Sequence, residues 1–175
     1  MFKVMAKSCR ALAALPLLLA VPAEAQVLGT DAAACAPNTT GAGASGPAVL
    51  VTVIGFKNRD GRLRVQFYPD EQEDYLGSGK YIRRQEVPVT ASGNMQVCIT
   101  VPRPGSYVMV ALHDRNEDGK LNVWSDGIGF SNNPRIPLGK PPLEKTRFTA
   151  GPGITRIDVV LNYMQGLSPR PIRQK

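Results

Sequence analysis

Leu63, Val65 and Phe67 alternate with Arg62, Arg64, Gln66 and Tyr68, and a period of two places one set on each side of an extended strand. A helix would scatter the same residues around its axis. The period returns at 95–101, where Met95, Val97, Ile99 and Val101 point one way and Gln96, Cys98 and Thr100 the other. It returns again within 154–163, where Ile157, Val159, Leu161 and Tyr163 share a face. Residues 49–56 and 106–113 are apolar on both faces, which predicts strands covered from both sides. Gly, Pro, Asp and Asn punctuate the runs. Asp60-Gly61 is a hairpin signal, Pro69 to Lys80 an acidic loop, and Pro88 marks 81–89 as an edge strand because proline donates nothing to a ladder. No stripe at helical spacing occurs. The pattern predicts an all-β chain, a single antiparallel β-sandwich of about seven strands over residues 48–164.

The ends have a different character. Lys3, Lys7 and Arg10 precede an apolar run from Ala11 to Val21, which Ala23-Glu24-Ala25 follows. That is the charged, apolar and small-residue order of a cleavable secretory signal peptide, residues 1–25, and the run is shorter than the roughly 20 residues that span a bilayer. No later stretch is long and apolar enough to span a membrane as a helix. Residues 26–47, rich in Ala, Gly, Thr and Ser, are expected to be a flexible leader, and 165–175, with Arg170, Arg173 and Lys175, a basic tail. Without the signal the formal net charge falls from +7 to +5, 18 basic residues against 13 acidic. That excess, with no basic run interleaved with aromatics, argues against nucleic-acid binding. Export places Cys35 and Cys98 in an oxidising compartment, and Cys98 lies on the outer face of its strand within reach of the leader, so a Cys35–Cys98 disulfide is expected.

One segment carries chemistry. Asp114, Asn116 and Asp118 recur at alternate positions, Gly119 follows, and Lys120 and Asn122 occupy the next two odd positions. This is the ligand order of an EF-hand-like calcium loop: oxygens at 1, 3 and 5, glycine at 6, a backbone carbonyl at 7 and a ligand at 9. The twelfth position should be a bidentate Glu and is Ser125, with Asp126 one place late. The competing reading is an Asx-rich turn whose side chains bond their own backbone and hold no metal. His113 is the sole histidine. It has no neighbouring nucleophile, and no G-x-S-x-G elbow, Walker loop or G-x-G-x-x-G is present, so no catalytic residue is assigned. Tyr75, Tyr81, Trp124 and Phe130 are candidates to line a ligand groove, or else to fill the core.

The stretch from Gly105 through His113-Asp114-x-Asn116-x-Asp118-Gly119-Lys120-Leu121-Asn122, the run Gly127-x-Gly129-Phe130-Ser131-Asn132-Asn133 and the closing Leu161-Asn162-Tyr163 resemble a bacterial family catalogued as domain of unknown function 2141. The resemblance covers residues 48–163. It implies an exported, periplasmic protein with a prealbumin-like or immunoglobulin-like sandwich, and implies no activity. Three functions are compatible with the sequence. The first is a non-enzymatic binding module whose loops meet an envelope protein or cell-surface component. The second is a small-ligand carrier or weak enzyme with a groove between Tyr75, Trp124 and Phe130, served by His113 and Asp126. The third is a purely structural envelope protein.

Overall fold

The computed structural model describes residues 26–36 and 46–172. The expected signal peptide, residues 1–25, lies outside the described residues, as do 37–45 and the final 173–175 of the expected tail. Eleven strands follow in chain order: β1 (Val27–Leu28), β2 (Ala48–Ile54), β3 (Arg62–Pro69), β4 (Arg83–Pro88), β5 (Met95–Thr100), β6 (Gly105–Asp114), β7 (Gly127–Phe130), β8 (Arg147–Ala150), β9 (Ile154–Val160), β10 (Asn162–Gln165) and β11 (Ser168–Pro171). A 3₁₀ turn at Ala32–Cys35 and a one-turn helix α1 (Leu143–Thr146) complete the list. None of these helices is long and apolar enough to cross a membrane.

The strands form two sheets, as expected of a sandwich. The larger runs β11-β10-β7-β6-β3-β4, with β8 also pairing β6, and its pairings are antiparallel. The smaller runs β1-β5-β2-β9. It is mixed rather than antiparallel, because β9 runs parallel to β2, Val51 opposite Ile157, and β1 parallel to β5. Between the sheets lies the core predicted by the alternation: Val49, Val51, Val53, Leu63, Val65, Phe67, Met95, Val97, Ile99, Met109, Ala111 and Val159. Each fully buried aliphatic or aromatic side chain there stabilises the fold by roughly 1.5–3 kcal/mol.

Four expectations need correction. Asp60-Gly61 is not the turn of a β2–β3 hairpin, since β2 and β3 lie in different sheets and residues 55–61 carry the chain between them. The signal was real at the level of backbone: Gly61 has φ +75, and a Cβ there would collide with the Asp114 carbonyl. Residues 154–163 form two strands rather than one, β9 in the small sheet and β10 in the large, with Leu161 buried at the crossing. The leader is built into the fold over residues 26–36, where β1 extends the small sheet and Asp31 accepts bonds from the Thr100 N–H (2.7 Å) and hydroxyl (2.8 Å). The described part of the tail is likewise structured, β11 pairing β10 through Met164 and Pro169.

Both sheets are also covered on their outer faces. On the small sheet, Ala34, Cys35, Ala48, Leu50 and Cys98 form a satellite cluster in which the expected Cys35–Cys98 disulfide is present, Cα–Cα 5.9 Å. On the large sheet, Tyr68, Tyr75, Val108, Val110, Phe130, Ile136 and Leu143 form another. Two-sided apolarity of β6 in the sequence has its cause here: one face meets the core and the other this second cluster.

Candidate functional site

The loop after β6 folds across the outer face of the large sheet. Several of its side-chain oxygens accept from its own backbone: Asp114 Oδ2 from Gly119 N–H (2.9 Å), Asp118 Oδ1 from Lys120 N–H (2.8 Å) and Asn122 Oδ1 from Trp124 N–H (3.1 Å). Asp126, 2% exposed, accepts from Asn122 N–H on Oδ2 and from Arg115 N–H and the Ser125 hydroxyl on Oδ1. Asn116 donates to Asp118 Oδ2 (2.9 Å), and with the Lys120 N–H it holds the Asp118 carboxyl below the usual carboxylate range. The loop is thus drawn together as a set of Asx turns. Among the described residues no group of three or more His, Cys, Asp or Glu side chains is arranged to hold a metal ion. Asp114, 3% exposed, nevertheless keeps Oδ1 buried with no hydrogen-bond partner.

Arg64 fixes the loop to the sheet. Its guanidinium donates to Glu86 Oε1 (2.6 Å) and to the Gly119 carbonyl (3.0 Å), which leaves it 8% exposed. The polar side of β3 is therefore covered at Arg64 by the loop and by Glu86.

Beside this loop opens a cavity of about 750 Å³. Its floor is the outer face of the sheet: Gln66 and Tyr68 of β3, Val110 and Leu112 of β6, Ile128 and Phe130 of β7, Met164 of β10. Its walls are Leu121, Val123 and Trp124 of the Asx loop, residues 136–140, and Leu167 with Pro169 of the β10–β11 hairpin. The large apolar side chains that stand exposed among the described residues are Leu121, Val123, Trp124 (66%), Leu138 (77%) and Leu167 (76%), and all of them line this cavity. Scattered exposed apolar residues need no explanation, but their convergence on one concavity makes it the candidate site.

The expected groove residues divide. Trp124, Phe130 and Asp126 line the cavity, whereas Tyr75 is buried behind it with its hydroxyl donated to the Pro141 carbonyl (2.9 Å). Tyr81 packs at the edge of that outer cluster, under the Arg84 guanidinium. His113 is on the other side of the sheet, fully buried in the sandwich. The Asp60 carbonyl can only accept, so His113 Nε2 carries the proton (2.7 Å); Nδ1 then accepts from the Tyr163 hydroxyl (2.7 Å). Gly127 makes this possible, since a Cβ there would lie 2.5 Å from the Tyr163 ring. Burial drives the His113 pKa down, and that of Tyr163 up to about 12.

The alternation of strands did not reveal the rim. Leu121, Val123, Ile136, Leu138 and Leu167 sit in loops between Gly, Pro and Asx residues, and the available signal was their apolarity in segments with no periodicity to bury them.

Fold and site together define an all-β sandwich that presents an apolar cavity on the outer face of its larger sheet. The family model for uncharacterized proteins conserved in bacteria, domain of unknown function 2141, matches residues 51–158. The chain belongs to that family. No curated protein and no solved structure matches it.

Proposed function

We propose that the protein is an exported, non-enzymatic binding module of the cell envelope that holds the apolar part of a small ligand in the cavity over β6 and β7. The observation that carries this reading is the convergence of Leu121, Val123, Trp124, Leu138 and Leu167 on one concavity. The volume falls in the range of about 300–1,000 Å³ usual for small-molecule sites. A binding role without catalysis fits the placement of His113, whose two ring nitrogens are committed to Tyr163 and Asp60 on the opposite face.

Trp124 is the only tryptophan, so its emission reports the cavity directly. Titration with a neutral lipophilic fluorophore is expected to quench Trp124 saturably, and the double substitution Leu138→Glu with Leu167→Glu to abolish the effect while leaving the melting temperature within about 2 °C. Absence of saturable quenching in the wild type sinks the proposal.

A second reading concerns the loop itself. A calcium ion held among Asp114, Asn116, Asp118, Lys120, Asn122 and Asp126 is favoured by one observation, the buried Asp114 Oδ1 without a partner. A buried carboxylate oxygen left bare is costly, and a cation is one of the partners that remedies it.

A further inference from the structure

A second, smaller cleft of about 500 Å³ adjoins the cavity, and the two share Ile136, Pro137, Leu138, Lys140 and Pro169 in their walls. Its charged lining is Arg135, Lys140 and Arg170, with no carboxylate among the lining residues. Among the described residues none of these three cations has an ion-pair partner; the pairs that exist are Arg64–Glu86, Lys80–Asp74, Arg84–Glu86 and Arg147–Asp70. The only carboxylate lining the larger cavity is Asp126, which is bound to its own loop. An apolar chamber therefore opens beside three unpaired positive charges, and Lys140 belongs to both.

We infer that the ligand is an anionic amphiphile: a monomer with one acyl chain, seated in the apolar cavity, whose carboxylate or phosphate headgroup lies in the cleft between Arg135, Lys140 and Arg170. This rests on the cavity reading above and adds the ligand's charge and polarity to it. Residues 134–142 carry Pro134, Pro137, Pro141 and Pro142, so the strap that holds two of the cations is stiff before any ligand arrives. Burial of each methylene is worth about 0.8 kcal/mol, which predicts roughly fourfold tighter binding per added carbon until the cavity is full. Each exposed cation contributes less, about twofold within the usual range for exposed charges, so the three together give an anion preference of about tenfold that weakens as salt rises.

The test is calorimetric titration of the purified protein, below micelle concentrations, with dodecanoate, dodecyl phosphate, dodecanol and dodecyltrimethylammonium. Both anions are expected to bind about tenfold more tightly than dodecanol, and the cation least. The triple substitution Arg135→Gln, Lys140→Gln, Arg170→Gln, all at exposed positions, is expected to erase the preference, so that within the variant both anions bind within about twofold of dodecanol, at an unchanged melting temperature. Equal binding of anion and alcohol in the wild type overturns the headgroup assignment alone. Failure of every chain to bind overturns the cavity reading beneath it. Sedimentation with anionic vesicles in the absence of monomer uptake assigns the patch to a membrane surface and overturns the amphiphile proposal.

Discussion

At the scale of the residue, His113 turns burial into a dependence on pH. It is neutral in the fold, because burial lowers its pKa against the weaker upward pull of the Asp60 carbonyl. In the unfolded chain it takes a proton near its ordinary value of about 6.5. Above that pH both states are neutral and the histidine contributes no slope. Below it the unfolded state holds more protons than the native state, so stability falls on acidification by at most about 1.4 kcal/mol per pH unit until the native pKa is passed. Urea denaturation at pH 7.5 and 5.5 should show the wild type losing more stability than His113→Gln over this window, although the variant starts lower because the imidazole ring packed against Phe56 and Tyr163 is lost. Equal losses in the two would place the acid sensitivity elsewhere. Asp31 acts at a lower pH: burial opposes its charge, but the Thr100 N–H and hydroxyl outweigh it and hold the carboxyl below the usual value of 3.8. Its contribution is present above that value and is lost as pH falls through the native pKa, outside the histidine window.

At the scale of the element, the Asx loop after β6 is where the calcium reading is decided. If the ion binds with the weak affinity of extracellular modules, roughly 10⁻⁴–10⁻³ M, a tenfold excess stabilises by about 1.4 kcal/mol, a rise of about 3–5 °C in melting temperature. Asp118 is exposed, so Asp118→Ala removes a ligand without opening the core. A shift in the wild type that shrinks in Asp118→Ala is expected; no shift, or the same shift in both, leaves the loop as a set of Asx turns. The same loop shows how far elements can be read from a sequence. Period-two runs at 63–67 and 95–101 placed Leu63, Val65, Phe67, Met95, Val97 and Ile99 in the core correctly, because in a sandwich one face of each strand must meet the other sheet. They were silent on the outer face. Arg64 looks solvated by alternation, yet the Gly119 carbonyl and Glu86 enclose it, and that depends on where a loop more than fifty residues later lies down. Short strands such as β8 and β11, four residues each, carry too few positions for a period to register.

At the scale of the whole molecule, the sandwich separates what stabilises it from what is proposed to bind. The disulfide and its cluster of Ala34, Ala48 and Leu50 cover the outer face of the small sheet, and the cavity opens on the outer face of the large one. Two sheets stacked about 10 Å apart, with the shared core between them, stand between the two features. Cross-linking residues 63 apart stabilises by about 4 kcal/mol in the chain-entropy model, reduced by whatever residual order β1 and the Asp31–Thr100 bonds retain once the cross-link is gone. Cys35→Ser with Cys98→Ser is therefore expected to lower the melting temperature by about 10 °C. Sites so far apart with no shared partner add independently, within about 0.5 kcal/mol. Affinity for the neutral fluorophore, measured by Trp124 quenching well below the melting point, should accordingly stay within about twofold of the wild type. A fall in affinity beyond that would mean that the small sheet's outer layer sets the shape of the cavity through the core, and the independence of the two faces would have to be given up.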